Sequence, residues 1–177
     1  MNPLSCNGKS IGVWNNKAKE IFNSASISYE FITTEYANYA YEYVNNQNLD
    51  EFYCIATIGG DGILHEVING ILHRKDGKYN KLAVSPIPGG TSNGIAKAIA
   101  EASNEYSDVE QACLITIKGK VRKIDLAVYN IEGTDKPIYS FLSFLWALTS
   151  DIIFRRKSVF YICFDKDFWV KEILWTD

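Results

Sequence analysis

The sequence predicts an α/β fold, a parallel sheet with helices on both faces. Three observations carry that prediction. Short apolar runs of strand length alternate with segments of helical periodicity. Two of those runs, over residues 52–58 and 81–87, end in glycine clusters. A helical pattern follows each cluster directly, the order in which a parallel sheet is built.

The elements follow in chain order. Residues 2–10 read as a turn-rich loop. A short helical pattern covers residues 18–21. Residues 27–32 alternate apolar and polar side chains, the period of a strand. Thr34-Glu35 opens a helix that runs to about Val44, with Thr34 as its N-cap. Residues 52–58 form a short apolar strand. In residues 63–72, Ile63, Val67, Ile68, Ile71 and Leu72 recur at helical spacing. Residues 81–87 form the next apolar strand. Helices over 94–102 and 109–117 and a strand over 123–129 follow. Residues 132–136 read as a linker or hairpin tip, which divides the chain into segments 1–135 and 136–177. Beyond it the sequence becomes rich in Phe and Trp.

In sheets of this kind ligands bind beyond the carboxyl ends of the strands, and both glycine loops lie there. Gly59-Gly60-Asp61-Gly62 allows left-handed backbone angles and close approach of a phosphate. The helix starting at Ile63 aims its unsatisfied N–H groups at the loop, which makes a phosphate cradle. A carboxylate repels phosphate, so Asp61 calls for another task. It can hold Mg²⁺ through water or accept the proton of an incoming hydroxyl. A tight Asp-Gly turn between strand and helix accounts for these four residues equally well. The loop from Pro88 to Gly94 repeats the design one strand later. There Thr91, Ser92 and Asn93 add hydroxyl and amide donors, and one of them can cap the next helix. Two such loops on successive strand ends are far less expected by chance than one. Asn2-Pro3 with Asn7-Gly8-Lys9-Ser10 is a candidate third loop, with Lys9 on a phosphate and Asn2 on the nucleotide; a disordered tail is the competing reading. Glu66 and Asn69 either brace the Asp61 loop by hydrogen bonds or lie on a solvated helix face.

Composition narrows the function classes. The net charge of −3 argues against nucleic acid as a partner, since a polyanion needs a basic face. The apolar fraction of 47% and charged fraction of 22% are those of a globular protein. Cys6, Cys54, Cys113 and Cys163 show no paired spacing, so neither a zinc site nor a disulfide framework is expected, and reduced buried thiols are. With His65 and His73 the only histidines, a His-rich metal site is excluded. The start lacks a basic region followed by an apolar stretch, so no signal peptide is expected. The uncharged run over residues 137–150 is too short to span a bilayer.

The run from Gly59 to Gly70 resembles the signature of diacylglycerol kinase catalytic domains and sphingosine kinases, and Gly89 to Gly94 looks like their second glycine loop. Asn2-Pro3 resembles the family's first nucleotide loop. Thr34-Glu35 resembles the Thr-Glu that closes over ATP. Ser140 to Ala147, followed by Ser150-Asp151, is similar to the stretch entering the lipid site of sphingosine kinases. The resemblance covers about residues 2–151. It implies a Rossmann-like nucleotide domain of the NAD kinase/diacylglycerol kinase type over 1–135 and the start of a β-rich lipid-binding domain from 136. It further implies ATP and Mg²⁺ as cofactors and a lipid hydroxyl as acceptor. Asp61 matches the general base. Gly59, Gly60, Gly62, Gly89, Gly90, Thr91 and Asn93 match phosphate-holding positions, and Asn2, Pro3 and Thr34 hold the rest of the nucleotide. Ser143 and Asp151 match substrate-pocket positions. Gly94 stands where diacylglycerol kinases commonly have Asp. Together with the Trp146 region, this favours a sphingoid base over diacylglycerol or ceramide. The resemblance also implies a cytoplasmic protein in peripheral contact with a membrane, and leaves a homodimer open.

Three departures stand beside the match. Family members carry an apolar strand before Asn-Pro, whereas Met1 directly precedes Asn2 here. Sphingosine kinases have Asp-x-Asp where this chain reads Asp151-Ile152-Ile153. Past Ile152 nothing resembles the family, so a truncated or mis-spliced reading frame is expected. The alternatives are therefore a kinase of a soluble substrate, such as NAD kinase, and an inactive truncated fragment that binds nucleotide.

Overall fold

β1 (Cys54–Gly59) and β2 (Ala83–Pro88) run parallel, in register from Cys54 opposite Ala83 to Gly59 opposite Pro88. They belong to a computed structural model that describes residues 1–5, 8–77, 82–90 and 93–142, and the backbone of Ile173–Leu174. The chain divides into two compact units, Met1–Ile124 and Asp125–Asp177.

Side chains of β1 and β2 alternate between two helical layers, as the strand period requires. Ile58 and Ile87 pack with Trp14, Ala18, Phe22 and Cys113. Ile55 and Val84, an odd number of residues earlier on each strand, pack with Ala40, Val44, Ile63, Val67 and Ile71. The first layer is built from α1 (Lys9–Val13), a π-helical turn (Trp14–Ala18), α2 (Lys19–Ser24) and α6 (Val109–Lys118). The second is α3 (Tyr39–Asn46) against α4 (Asp61–Leu72). α5 (Gly94–Ala102) packs on β2 and α6. Ile87 is 0% and Ile58 4% exposed, and burying such a side chain contributes about 1.5–3 kcal/mol. α6 is closed at both ends. The Asp108 side chain accepts the Gln111 N–H at 2.8 Å, and Gly119 follows with φ 64°.

Residues 1–2 are hydrogen-bonded alongside β1 without forming a strand. Asn2 N donates to Ile58 O at 3.1 Å, while Thr34 N donates to Met1 O at 2.9 Å. The Met1 ammonium donates to Ile32 O at 2.8 Å. Residues 1–2 are therefore bonded to β1 on one side and to the segment ending at Thr34 on the other. In the second unit, β3 (Ala127–Tyr129) pairs antiparallel with both β4 (Ile138–Ser140) and β5 (Ile173–Leu174).

Four local expectations are corrected. Residues 27–32 form no regular strand; among the described residues their backbone bonds are Ile27 N to Phe22 O and the Met1 ammonium to Ile32 O. Their aromatic side chains cover Trp14 instead: Phe31 stacks on it at 4.2 Å and Tyr29 meets it edge-on at 5.1 Å. Thr34 does not cap a helix, because the helix begins only at Tyr39, after Asn38 takes a left-handed φ of 67°; the Thr34 N–H is bonded to Met1 O. The loop expected over residues 2–10 gives way to α1 at Lys9. The strand expected over residues 123–129 starts only at Ala127.

α3 and α4 touch at Gly70. A Cβ there would strike Val44 Cγ2 and lie 2.6 Å from Tyr41 O, while Asn45 Nδ2 donates to Gly70 O at 3.0 Å. Gly70→Ala is expected to lower stability by about 1–3 kcal/mol through overpacking, read as a lower urea midpoint with an unchanged slope. A wild-type midpoint would show that α3 shifts without cost.

Candidate active site

The parallel register brings the two glycine loops out side by side, and they touch along their backbones. Gly89 N donates to Gly59 O at 2.9 Å. A Cβ at Gly90 would lie 2.5 Å from Gly60 Cα and 2.7 Å from Gly60 N, so only glycine fits there. The first loop of the chain closes in from another side: a Cβ at Gly59 would meet Ser5 Oγ at 3.1 Å and Ile63 Cγ2 at 2.8 Å. Gly62 differs from these, because no described residue lies within 4 Å of where its Cβ would be.

Asp61 is the first residue of α4, and its carboxylate reaches across to α5. Oδ2 accepts the Gly94 N–H at 2.9 Å and Oδ1 the Ile95 N–H at 3.5 Å. These N–H groups lack intrahelical acceptors, and the helix dipole places positive potential on the carboxylate. Asp61 thus does the capping that the sequence reading offered to Thr91, Ser92 or Asn93. Asn93 occupies the N-cap position but makes no cap bond. Its amide is turned back on its own loop: Oδ1 accepts from Gly90 N at 3.3 Å and Nδ2 donates to Gly90 O at 2.8 Å. Thr91 and Ser92 lie outside the described residues, as do Ser143, Trp146 and Asp151.

Ser10 is a residue the sequence placed only within a loose third loop. It is fully buried, and its Oγ lies 2.9 Å from Gly89 O and 3.2 Å from Ser5 O. The hydroxyl ties the first loop to the second glycine loop. Its only sequence signal is a small hydroxyl residue following Gly8-Lys9. Asn2 stays on the first loop, its Oδ1 accepting from Leu4 N at 2.9 Å, and Pro3 follows it half-buried. Thr34 sits against Met1 through its backbone. Lys9 is exposed on the first turn of α1. Glu66 is not on a solvated face, since its Oε2 accepts from Ala40 N at 3.2 Å. Asn69 is buried, with Nδ2 donating to His65 O at 3.0 Å. Burial pushes the Cys54 and Cys113 thiols up to about 11, which keeps both protonated and outside the chemistry.

The structure therefore gathers Asn2, Gly59, Gly60, Asp61, Gly62, Gly89, Gly90 and Asn93 at the carboxyl end of β1 and β2. Bare backbone and one held carboxylate face the same end. That arrangement suits an anionic ligand beside a group that takes up a proton.

Residues 1–129, more than half of the chain, match the diacylglycerol kinase catalytic domain. Curated relatives include sphingosine kinase 1 of Arabidopsis thaliana, 32% identical over 153 residues. Sphingoid long chain base kinase 4 of Schizosaccharomyces pombe is 32% identical over 152 residues. These alignments cover 86% and 85% of this chain and 31% and 32% of the relatives, so the chain spans about a third of their length. A solved diacylglycerol kinase structure from Bacillus anthracis aligns with a TM-score of 0.57 at 21% identity, covering 71% of this chain and 40% of that one. It shares the α/β fold.

Two substitutions test the loop contacts. Ser10→Ala is expected to cost about 1–3 kcal/mol, because a buried carbonyl loses its donor, and to lower the thermal midpoint; an unchanged midpoint would show that the tie is idle. Gly90→Ala is expected to separate the loops and abolish binding of a fluorescent ATP analogue while the helical circular dichroism persists. Retained affinity would show that the backbone contact is not needed for the site.

Proposed function

The chain belongs to the diacylglycerol kinase catalytic domain family, and on that premise we propose that it is the nucleotide-binding part of an ATP-dependent lipid kinase acting on the primary hydroxyl of a sphingoid base. The observation that carries this reading is the Asp61 carboxylate, held by Gly94 N–H at the meeting point of two glycine loops. The printed names of the relatives, sphingosine and sphingoid long chain base kinases, support the choice of lipid.

ATP, when bound, supplies the phosphoryl group, with Mg²⁺ neutralising the charge of its phosphates. The loops fit phosphates: no described residue lies within 4 Å of a Cβ at Gly62, and Gly59, Gly60, Gly89 and Gly90 put backbone rather than side chains at the sheet end. Among the described residues, no cluster of three or more His, Cys, Asp or Glu is placed to hold a metal ion. A Mg²⁺ ion here would draw its ligands from phosphate oxygens and water, with Asp61 as the carboxylate beside them, which is the usual pattern for that ion. Thr91 and Asn93 complete the second loop, and Asn2, Pro3 and Thr34 border the nucleotide. Asp61 would accept the proton of the lipid hydroxyl at a carboxylate oxygen, while the hydroxyl oxygen bonds to the γ-phosphorus of ATP and the bond to the departing ADP breaks. Its bond from Gly94 N–H sets the carboxylate's direction and leaves lone pairs for that proton. Ser143 and Asp151 line the head-group pocket in this reading. The proposal places the protein in the cytoplasm at a membrane surface, because such a substrate resides in a bilayer.

The chain spans about a third of its relatives, so nucleotide binding without turnover is the second reading. Labelled ATP offered with sphingosine, diacylglycerol or NAD separates the readings. Label on sphingosine supports the first, label on NAD overturns it, and ATP binding with no labelled product selects the second. Asp61→Asn keeps one oxygen for Gly94 N–H and is expected to lower turnover about 10²–10⁴-fold with ATP affinity largely intact. An unchanged rate would remove Asp61 as the base.

A further inference from the structure

α4 holds α3 by opposite charges at opposite ends. At the N-terminus of α3, Glu66 accepts the Ala40 N–H. At its C-terminus, Arg74 reaches back from the residues after α4. Its Nη1 donates to Val44 O and, at 2.9 Å, to Gln47 O. The Arg74 side chain is 7% exposed, and Asp76 holds the other side of the guanidinium, with Nη2 to Oδ2 at 2.6 Å and Nε to Oδ1 at 3.1 Å. A carboxylate at the start of a helix and a guanidinium at its end both complement the helix dipole. The pair therefore sets the direction of α3 as well as its position. Between them Gly70 brings the helices into contact.

The clamp reaches further than α3. The segment entering α3 is tied to its first turns, with Tyr36 OH donating to Glu42 Oε2 at 2.8 Å and Glu42 N donating to Asn38 O at 3.0 Å. At its other end Thr34 N is bound to Met1 O, next to Asn2. Asp61, meanwhile, begins the helix that carries Glu66 and leads to Arg74. A shift of α3 along α4 would therefore move residues 34–38 relative to Asp61.

We infer that Arg74, braced by Asp76, is a positioning residue that fixes residues 34–38 against the Asp61 loop and so sets nucleotide affinity. The inference rests on the proposed nucleotide reading. The guanidinium's planar fork is what the task needs, since one side chain must serve two carbonyls and a carboxylate at once. A lysine would keep the charge at the helix end and lose the fork.

The test uses the 177-residue chain as Arg74→Gln, Arg74→Lys and wild type. Two quantities are measured: amide hydrogen exchange over residues 33–41 and 54–64, and affinity for a trinitrophenyl-ATP analogue. Arg74→Gln is expected to speed exchange in 33–41 and leave 54–64 unchanged. Its analogue affinity is expected to fall about five- to tenfold, because the binding-competent arrangement is less populated. Arg74→Lys is expected to lie between the two. Wild-type exchange in 33–41 of a folded Arg74→Gln variant overturns the clamp, and faster exchange with wild-type affinity overturns its link to the nucleotide. If Arg74→Gln is unfolded by circular dichroism, Arg74→Lys carries the same comparison. If wild type itself binds no analogue, the nucleotide reading fails and takes the ligand half of the inference with it. The exchange data still decide whether Arg74 holds the segment.

Discussion

A Cβ at Gly90 would lie 2.5 Å from Gly60 Cα, so the second glycine loop rests directly on the first. That contact depends on β1 and β2 ending level, Gly59 opposite Pro88. The level ends in turn depend on the two apolar layers that fix the strand faces. Once the loops touch, Gly94 N–H falls within reach of Asp61, and one carboxylate joins α4 to α5. The placement of the Asp61 carboxylate thus follows from backbone contact between the two loops.

Charge is then used where room allows. Asp61 meets the first turn of α5, Glu66 the first turn of α3, and Arg74 the last carbonyls of α3. Each lies where the helix dipole favours its sign. All three are carried by α4 or the residues just after it, so this helix sets the placement of its neighbours on both sides. Ser10 adds a neutral link from the first loop to Gly89. Among the described residues, no buried side-chain nitrogen or oxygen is left without a partner, which is the condition for a polar site beside an apolar core.

Family membership rests on residues 1–129, the part that contains both glycine loops and the sheet. The relatives extend well beyond it, and this chain covers about a third of their length. The first unit carries two helical layers on a parallel sheet, whereas the second pairs short antiparallel strands. A phosphate-binding end needs the former architecture, in which strand ends and helix starts meet.

Sequence alone placed the two strands that end in glycine loops, the loops and the helices that follow them. Apolar periodicity and glycine position are local properties, and residues 52–72 and 83–102 state them without outside help. It singled out Asp61 as a carboxylate among glycines, with a task in proton or Mg²⁺ chemistry and a tight Asp-Gly turn as equal readings. It misplaced the helix start at Thr34 and the strand over 27–32, because both depend on where Met1 and Trp14 sit, and those partners are distant in sequence. It offered the α5 cap to the residues adjoining α5. Only the tertiary structure decided that Asp61 takes that place while Asn93 turns back to Gly90, that Ser10 binds Gly89, and that Arg74 holds the end of α3. Each of these is a hydrogen bond between residues whose separation along the chain carries no period or motif, and such bonds exist only after the sheet has set their distance.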